Sequence, residues 1–336
     1  MNPRLFFPLS FVILLLLIAG GLLVGAVDVS ATQVWLALTG GNADETARFI
    51  VIESRLPAIL TAFLAGWGLG IGGLLMQTVL ENPLAEPGIL GVGAGASLGA
   101  AIALLLPGAA ISGVLTAGGT LLTVTLALAG SLLVIAILAI CSSALKSNVL
   151  VLIAGVMVSY LIGSCTNLLS FFSTDYGVQS FVFWGMGDFG MLSSERLIWL
   201  AIAVFAGFIP LLFLFKQLDS LILGNEYATN LGVHVRTLRT LLLVLCGWMT
   251  AVVTAACGPI SFIGLAAPHL ARFILRRSNH AVLLPATALT GAALCLLTSL
   301  ICHMPTSTST LPVNSVTPLI GVPVMLALIF RRKSIR

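Results

Sequence analysis

The chain has 336 residues, of which 59% are apolar, and it carries only 15 basic and 11 acidic residues. A soluble chain has about a quarter charged residues, so this composition cannot cover a water-exposed surface. It excludes a soluble enzyme, a disordered protein and a nucleic-acid-binding domain, and no nucleic-acid partner is expected. Long apolar stretches without alternation favour an all-α, polytopic membrane protein over a β-barrel.

Ten segments are long and apolar enough to span a bilayer, which takes about 20 residues. In chain order they cover roughly residues 5–27, 56–80, 88–107, 111–141, 148–172, 192–215, 238–258, 259–275, 281–302 and 311–330. The boundary near Gly258-Pro259 divides one continuous apolar stretch, because proline interrupts the helical hydrogen-bond ladder. We treat residues 1–336 as a single transmembrane domain.

The basic residues select one orientation for these spans. With the amino terminus in the cytoplasm, all of the 15 basic residues except Arg48, Arg55 and Arg196 fall in cytoplasmic segments. The opposite orientation would reverse this bias, so the positive-inside rule predicts that both termini are cytoplasmic.

Residue types that would power transport are missing from the predicted spans. No Lys, Arg, Asp or Glu lies at the centre of a span, which disfavours a proton-coupled secondary transporter. None of the lysines completes a G-x-x-x-x-G-K-[ST] phosphate loop; they are Lys146, Lys216 and Lys333. If transport is active, ATP is therefore hydrolysed by another polypeptide.

One short motif is typical of an enzyme. Gly95-Ala96-Ser97-Leu98-Gly99 fits G-x-S-x-G, the nucleophile pattern of serine hydrolases, which requires a strand-to-helix elbow together with a histidine and an acid. Here it falls inside an apolar helix, so an intramembrane serine hydrolase is a remote alternative. The histidines form no metal-ligand pattern, and no metal site is predicted; they are His234, His269, His280 and His303.

A polar loop at about residues 216–237, the 216–237 loop, interrupts the apolar pattern. Leu223, Tyr227 and Leu231 recur at i, i+4 and i+8, which predicts a short helix with one apolar face. Gly224 and Gly232 bracket this helix as breaks. The apolar face suits either the groove of a partner protein or the chain's own membrane domain, and the pattern does not choose between them.

Several longer motifs follow one another from about residue 50 to residue 330. They are Arg55-Leu56-Pro57, Asn82-Pro83-Leu84-Ala85-Glu86-Pro87-Gly88, Trp184-Gly185-Met186-Gly187, the Leu223-Gly224-Asn225-Glu226 loop, the segment from Gly258-Pro259 to His269-Leu270-Ala271-Arg272, and Leu311-Pro312-Val313 before Ile320-Gly321-Val322-Pro323. In this order the series resembles the FecCD family, the permeases of type II ABC importers for iron-siderophores, haem and cobalamin.

The resemblance implies an architecture and a set of partners. It implies ten helices per subunit, a second permease copy across a central pathway, two cytoplasmic ATPase subunits that hold ATP and Mg, and an extracytoplasmic substrate-binding protein. It places the chain in the bacterial inner membrane as a transport subunit, which is neither an enzyme nor the carrier of a cofactor.

The resemblance also assigns roles to individual residues. The following match the family's coupling loop, which contacts the ATPase: Leu223, Gly224, Glu226, Ala228, Leu231 and Gly232. The residues that match the cytoplasmic gate are Asn82, Pro83 and Leu84. A proline-broken turn suits a gate, because its backbone shifts without losing a helical hydrogen bond.

Departures from the family pattern affect the predicted docking site for the binding protein. Ala58 replaces the second arginine of R-L-P-R, and Ser299 and His303 replace the usual Asp and Arg near the last span. Asn314 replaces a glycine. The resemblance therefore leaves Arg55 and His303 as the docking residues, and the charge of His303 would vary with pH.

The resemblance also bears on the cargo. Iron-chelates dominate the family, so an iron-siderophore or haem is the first expectation. The Glu81 and Glu86 version of the turn, together with Gly247-Trp248-Met249, is similar to cobalamin permeases, and cobalamin is the alternative.

Overall fold

The computed structural model describes residues 2–106, 117–145, 148–304 and 310–333, and within these ranges the chain is helical without strands. The first helices are α1 (Pro3–Leu23), α2 (Ala31–Thr39), α3 (Glu45–Phe49), α4 (Leu56–Val79), α5 (Val92–Leu105), α6 (Ala117–Ala144) and α7 (Asn148–Phe171). They are followed by α8 (Asp175–Met186), α9 (Ser194–Phe208), α10 (Leu211–Ile222), α11 (Asn225–Asn230), α12 (Val235–Cys257), α13 (Ile263–Leu275), α14 (His280–His303) and α15 (Val313–Lys333).

The predicted spans coincide with apolar helices. Among the described residues, six helices are long and apolar enough to cross a membrane, and the bent pair α9–α10 makes a seventh. Three shorter apolar stretches occupy the remaining segments, namely Val92–Leu105, Ile263–Leu275 and Val313–Ala327. Residues 107 and 111–116, which the sequence assigns to the third and fourth spans, lie outside the described residues. The all-α, polytopic prediction is confirmed.

Two spans differ in detail from their prediction. The sixth is two helices that meet at 43°, with Pro210 at the break, and it extends to Ile222. The helix bends there because proline has no backbone N–H to donate to the helical hydrogen bonds. The eighth begins only at Ile263, because Gly258 takes a left-handed φ of 75° and residues 259–262 are not helical. The apolar run therefore contains a longer break than the sequence indicates.

Helix α4 is the central element of the bundle and packs against α12, α13 and α14. Its glycines allow close approach: a Cβ atom at Gly66 would overlap the backbone of Gly291, and one at Gly73 would overlap the backbone of Gly264. Small residues at such spacing let helix backbones touch, which replaces the hydrophobic driving force that lipid cannot supply. The glycine spacing thus serves helix packing.

Apolar side chains also cover the outside of the bundle. Leu5 and Leu16 of α1, and Tyr160 and Phe171 of α7, are mostly exposed. In a soluble protein such a surface would aggregate, whereas in a bilayer it faces hydrocarbon or another subunit.

The two ends of the bundle differ in charge. One end, the α11 end, contains the carboxyl end of α4, α11 and the amino end of α12. Its basic residues include Arg4, Lys216, Arg236, Arg239, Arg272, Arg276 and Arg277, whereas Lys146 lies outside the described residues. The opposite end, the Arg55 end, carries Arg48, Arg55 and Arg196. This clustering agrees with the predicted charge bias; which end faces the cytoplasm stays a prediction.

Candidate functional site

The 216–237 loop presents an apolar stripe at the α11 end. Leu223, Tyr227 and Leu231 are 64%, 51% and 60% exposed, respectively, whereas Ala228 between them is completely buried. Ala228 belongs to the main apolar core and anchors α11 to the bundle. The stripe therefore does not pack on the chain's own membrane domain, and its contact with the groove of a partner protein stays a prediction.

Two glycines set the ends of this short helix. Gly224 has a φ of 104° and Gly232 a φ of 83°, conformations that strain any residue with a Cβ atom. The Gly224 carbonyl accepts the Ala228 N–H at 3.0 Å, and the Val233 N–H donates to the Ala228 carbonyl at 3.1 Å. Glu226 is exposed in the first turn, where a negative charge is favourable near the positive helix end.

The 80–86 turn, which contains the predicted gate residues, follows α4. Asn82 organises it: its Oδ1 accepts the Leu84 N–H at 2.9 Å, and its carbonyl accepts the Ala85 N–H at 3.1 Å. Pro83 and Leu84 are exposed beside it. The structure thus places Asn82, Pro83 and Leu84 in one compact turn at the α11 end; their gating role stays a prediction.

Beyond this turn, the chain folds back into the bundle. Pro87 lies where Cβ atoms on Gly72 and Gly264 would contact it. Gly72 is about two helical turns from the carboxyl end of α4. Glu86 is partly buried, and its Oε1 accepts the Phe262 N–H at 2.7 Å. A carboxylate between two predicted spans therefore reaches the interior, which the sequence analysis missed.

Glu86 lines a cavity with a volume of about 360 Å³. The polar lining side chains besides Glu86 are hydroxyls, those of Ser97, Thr250, Thr254 and Ser261. Apolar walls include Leu69, Ile260 and Phe262. A mixed wall of this kind, with few polar groups at fixed positions, is typical of a small-molecule site.

Arg55 and His303, the predicted docking residues, line one small void at the opposite end. Arg55 is only 8% exposed: its Nη1 donates to the carbonyls of Leu22 at 2.6 Å and Leu23 at 3.1 Å, and its Nη2 donates to the carbonyl of Val27. These carbonyls lie at and just beyond the end of α1, where helical partners are missing. The geometry makes Arg55 a cap for α1, and its docking role is untested.

His303 is partly exposed beside it. Its Nδ1 lies 2.7 Å from the carbonyl of Ser299, and because a carbonyl only accepts, Nδ1 carries the proton. Asn314 accepts the Ser261 N–H through Oδ1 at 3.2 Å. It thereby stabilises the break between α12 and α13.

Ser97 lies in the middle of α5 and lines the cavity. It is not on a strand-to-helix elbow, and no histidine is among the described residues that line this cavity. The remote hydrolase alternative therefore lacks its general base.

A partly buried polar chain at the α11 end, centred on the buried His280, was not predicted from the sequence. Asp219 of α10 accepts both the backbone N–H and the Nδ1–H of His280 at 2.8 Å, and His280 Nε2 lies 3.1 Å from Thr78 Oγ1. His280 is 1% exposed. The available signal was an acid in an otherwise amphipathic helix and a histidine beside an asparagine N-cap. Neither signal shows which residues His280 contacts, because Asp219 is 61 residues away in the chain and Thr78 is 202 residues away.

The described residues hold no group of three or more His, Cys, Asp or Glu side chains that could bind a metal ion.

Taken together, the apolar outer surface, the interior cavity and the exposed stripe on a polar end loop define a multi-pass membrane transport subunit. A model of the FecCD transport family matches residues 12–331. The vitamin B12 import system permease protein BtuC of Salmonella schwarzengrund is 33% identical over 315 residues, and that of Salmonella paratyphi A is 34% identical over 310; both alignments cover 92% of each chain. The chain belongs to the FecCD transport family.

Two solved structures have the same fold as this chain. A transporter described as being of the metal-chelate ABC type, in an inward-facing conformation, superposes with a TM-score of 0.85 at 28% identity, over 98% of this chain and 100% of that one. PsaBC from Streptococcus pneumoniae, solved with a Fab, has a TM-score of 0.55 at 16% identity, over 82% and 90%, which shows only a shared fold.

These findings confirm the resemblance seen in the sequence motifs. The chain is the permease of a type II ABC importer, and it is a transport subunit rather than an enzyme, so the hydrolase alternative is wrong.

Proposed function

We propose that the cargo of this permease is cobalamin, and that the chain works in the bacterial inner membrane with a second copy of itself. The observation that carries the proposal is the identity of 33–34% with vitamin B12 permeases over 92% of both chains. This identity makes cobalamin the first candidate and an iron-chelate the second, the reverse of the order expected from the family as a whole.

The cavity supports this cargo. Its described lining contains one carboxylate, that of Glu86, four hydroxyls and no basic side chain. An anionic chelate would meet Glu86 without a compensating positive charge, whereas amide N–H groups, such as those at the rim of a corrinoid, would find acceptors. A large, mostly neutral cargo suits such a wall better than an anion does.

The proposed source of energy is a pair of separate ATPase subunits, which hold ATP and Mg. The apolar stripe of Leu223, Tyr227 and Leu231 on each permease copy would insert into a groove of one ATPase subunit, with the glycine breaks at Gly224 and Gly232 fixing the angle of α11. The exposed tyrosine is a residue type that anchors protein interfaces, and the two leucines add apolar surface whose burial stabilises binding.

The proposed orientation follows from the charge bias. The α11 end, both termini and the 80–86 turn face the cytoplasm, and the Arg55 end faces a substrate-binding protein on the outside. His303 is the remaining docking candidate there, because the described donors of Arg55 are directed at carbonyls of its own chain.

An iron-chelate is the second candidate cargo. It is favoured by the similarity to the metal-chelate type transporter at a TM-score of 0.85.

Competition in proteoliposomes separates the two cargoes. The permease, its ATPase and its binding protein are reconstituted, and ATP-dependent uptake of labelled cyanocobalamin is measured with an excess of unlabelled ferric hydroxamate, haem or cyanocobalamin. We expect competition by cyanocobalamin alone. Uptake of a labelled ferric hydroxamate or haem, without uptake of cyanocobalamin, would contradict the cobalamin proposal.

A further inference from the structure

The 80–86 turn and the 216–237 loop are joined directly by one hydrogen bond. Asn225, the first residue of α11, donates through Nδ2 to Glu81 Oε1 at 3.0 Å. These residues are 144 positions apart in the chain, so the bond connects two elements that the backbone does not. It is placed between the apolar stripe and Asn82, the residue that organises the turn.

The backbone at Glu81 is strained where this bond forms. Its φ is 51°, in the left-handed region that disfavours any residue with a Cβ atom. Strain of this kind persists where the surrounding structure enforces it, and it clusters at switch regions. The positive charge of Arg239 in α12 also attracts the Glu81 carboxylate.

A second connection runs through the interior. Asp219 lies in α10, directly before the stripe, and it holds both the backbone N–H and the imidazole of His280 at the start of α14. The other imidazole nitrogen is 3.1 Å from the hydroxyl of Thr78 in the last turn of α4. The imidazole at the centre of this chain is buried, so the loss of either bond would leave a desolvated polar atom on His280.

Both sets of hydrogen bonds therefore connect the 216–237 loop to the carboxyl end of α4 and the 80–86 turn that follows it. The Asn82 N–H donates to the carbonyl of Gln77, next to Thr78, so a shift of this last helical turn displaces Asn82. An apolar contact alone would let the two elements slide, whereas directional bonds transmit displacement.

We infer that Asn225–Glu81 and Asp219–His280–Thr78 form a two-route mechanical link that moves the 80–86 turn when an ATPase displaces the 216–237 loop. Asn225, Glu81, Asp219, His280 and Thr78 are positioning residues, since they act on the turn and not on the cargo. The inference rests on the proposed function, in which the loop contacts an ATPase and the turn closes the pathway.

The test uses the reconstituted complex with its ATPase and binding protein, and cyanocobalamin and a ferric hydroxamate as cargo probes. Asn225→Ala removes the bond to Glu81, and Asp219→Leu removes both bonds to His280, while Asp219→Asn retains an acceptor for both His280 donors. Asn230→Ala is the matched control, the same change at the far end of α11. Two quantities are measured: cargo imported per ATP hydrolysed, and the effect of ATP on thiol modification of Leu84→Cys in a Cys165→Ser background.

We expect Asn225→Ala and Asp219→Leu to hydrolyse ATP within about twofold of the wild-type rate but to import about fivefold less cargo per ATP, the lower end of common coupling factors. ATP should no longer alter modification of Leu84→Cys in them. Asp219→Asn and Asn230→Ala should behave like the wild type. If Asp219→Leu does not fold, Asn225→Ala and Glu81→Ala, which both remove the bond between the loop and the turn, decide the outcome.

Unchanged import per ATP in Asn225→Ala and Glu81→Ala would overturn the link. So would loss of ATPase binding in these variants, because the residues would then belong to the subunit contact. If the wild-type complex imports neither probe with ATP, the proposed function itself fails and the inference fails with it.

Discussion

Arg55 shows how a side chain predicted to face a partner serves the chain's own fold. Its guanidinium donates to carbonyls at and just beyond the end of α1, two of them at the last residues of the helix. A cation at a helix carboxyl end also compensates the helix dipole. The sequence indicated that this arginine lies at a membrane edge but could not show that its donors are already used.

Arg55→Ala should therefore destabilise the protein. Each hydrogen bond from a charged donor contributes about 1.5–3 kcal/mol, and the carbonyls would lose their partner, so we expect a loss of about 3 kcal/mol. The midpoint of thermal unfolding in detergent micelles measures this loss. The control is Arg48→Ala, at an exposed site in α3, which should leave the midpoint unchanged. Equal midpoints for the two variants would refute the capping role.

At the scale of elements, α4 and α13 approach each other backbone to backbone at Gly73 and Gly264. A Cβ atom at Gly73 would overlap the backbone of Gly264, whereas one at Gly163 in α7 would meet open space. Backbone cannot yield as a flexible side chain does, so the helices would have to separate.

Gly73→Ala should consequently lower the unfolding midpoint, because overpacking costs about 1–3 kcal/mol. Gly163→Ala should leave it unchanged or raise it slightly, since alanine is the better helix former by about 0.5–1 kcal/mol. A midpoint for Gly73→Ala at or above that of Gly163→Ala would contradict the contact between α4 and α13.

The stripe on α11 gives a prediction about assembly. Burial of a leucine side chain stabilises an interface by about 1.5–3 kcal/mol, so Leu223→Ser with Leu231→Ser should weaken ATPase binding by about 3 kcal/mol or more, roughly 100-fold. Titration of labelled ATPase onto the permease in nanodiscs measures this. Leu5→Ser, at a similarly exposed leucine of α1, should bind normally. Undiminished binding in the double variant would place the ATPase contact elsewhere.

Helices could be predicted where the sequence pattern that indicates them lies within one stretch of the chain. The spans and the stripe follow from periodicity and apolar length within one stretch of chain. Helices α2 and α8 were missed because, at 9 and 12 residues, they are too short to satisfy a spanning criterion. The return of Glu86 to the interior and the Asp219–His280–Thr78 chain depend on contacts between distant segments, which no single-sequence pattern reports.

For the whole molecule, charge bias predicts that the α11 end is cytoplasmic. Cysteines placed at Leu223 and at Arg48, both exposed positions at opposite ends, report orientation through a membrane-impermeant maleimide in a Cys165→Ser background. Leu223→Cys should react only in inside-out vesicles and Arg48→Cys only in right-side-out vesicles. Reaction of both from one side would exclude the ten-span topology.

The central claim is that this bundle imports its cargo only when a separate ATPase acts on α11. The most direct measurement is the number of cyanocobalamin molecules imported per ATP hydrolysed by the complete complex in proteoliposomes. The account predicts a fixed, non-zero ratio that disappears without the ATPase or with ADP in place of ATP. Import that continues without ATP, or hydrolysis with no import of any tested cargo, would contradict it.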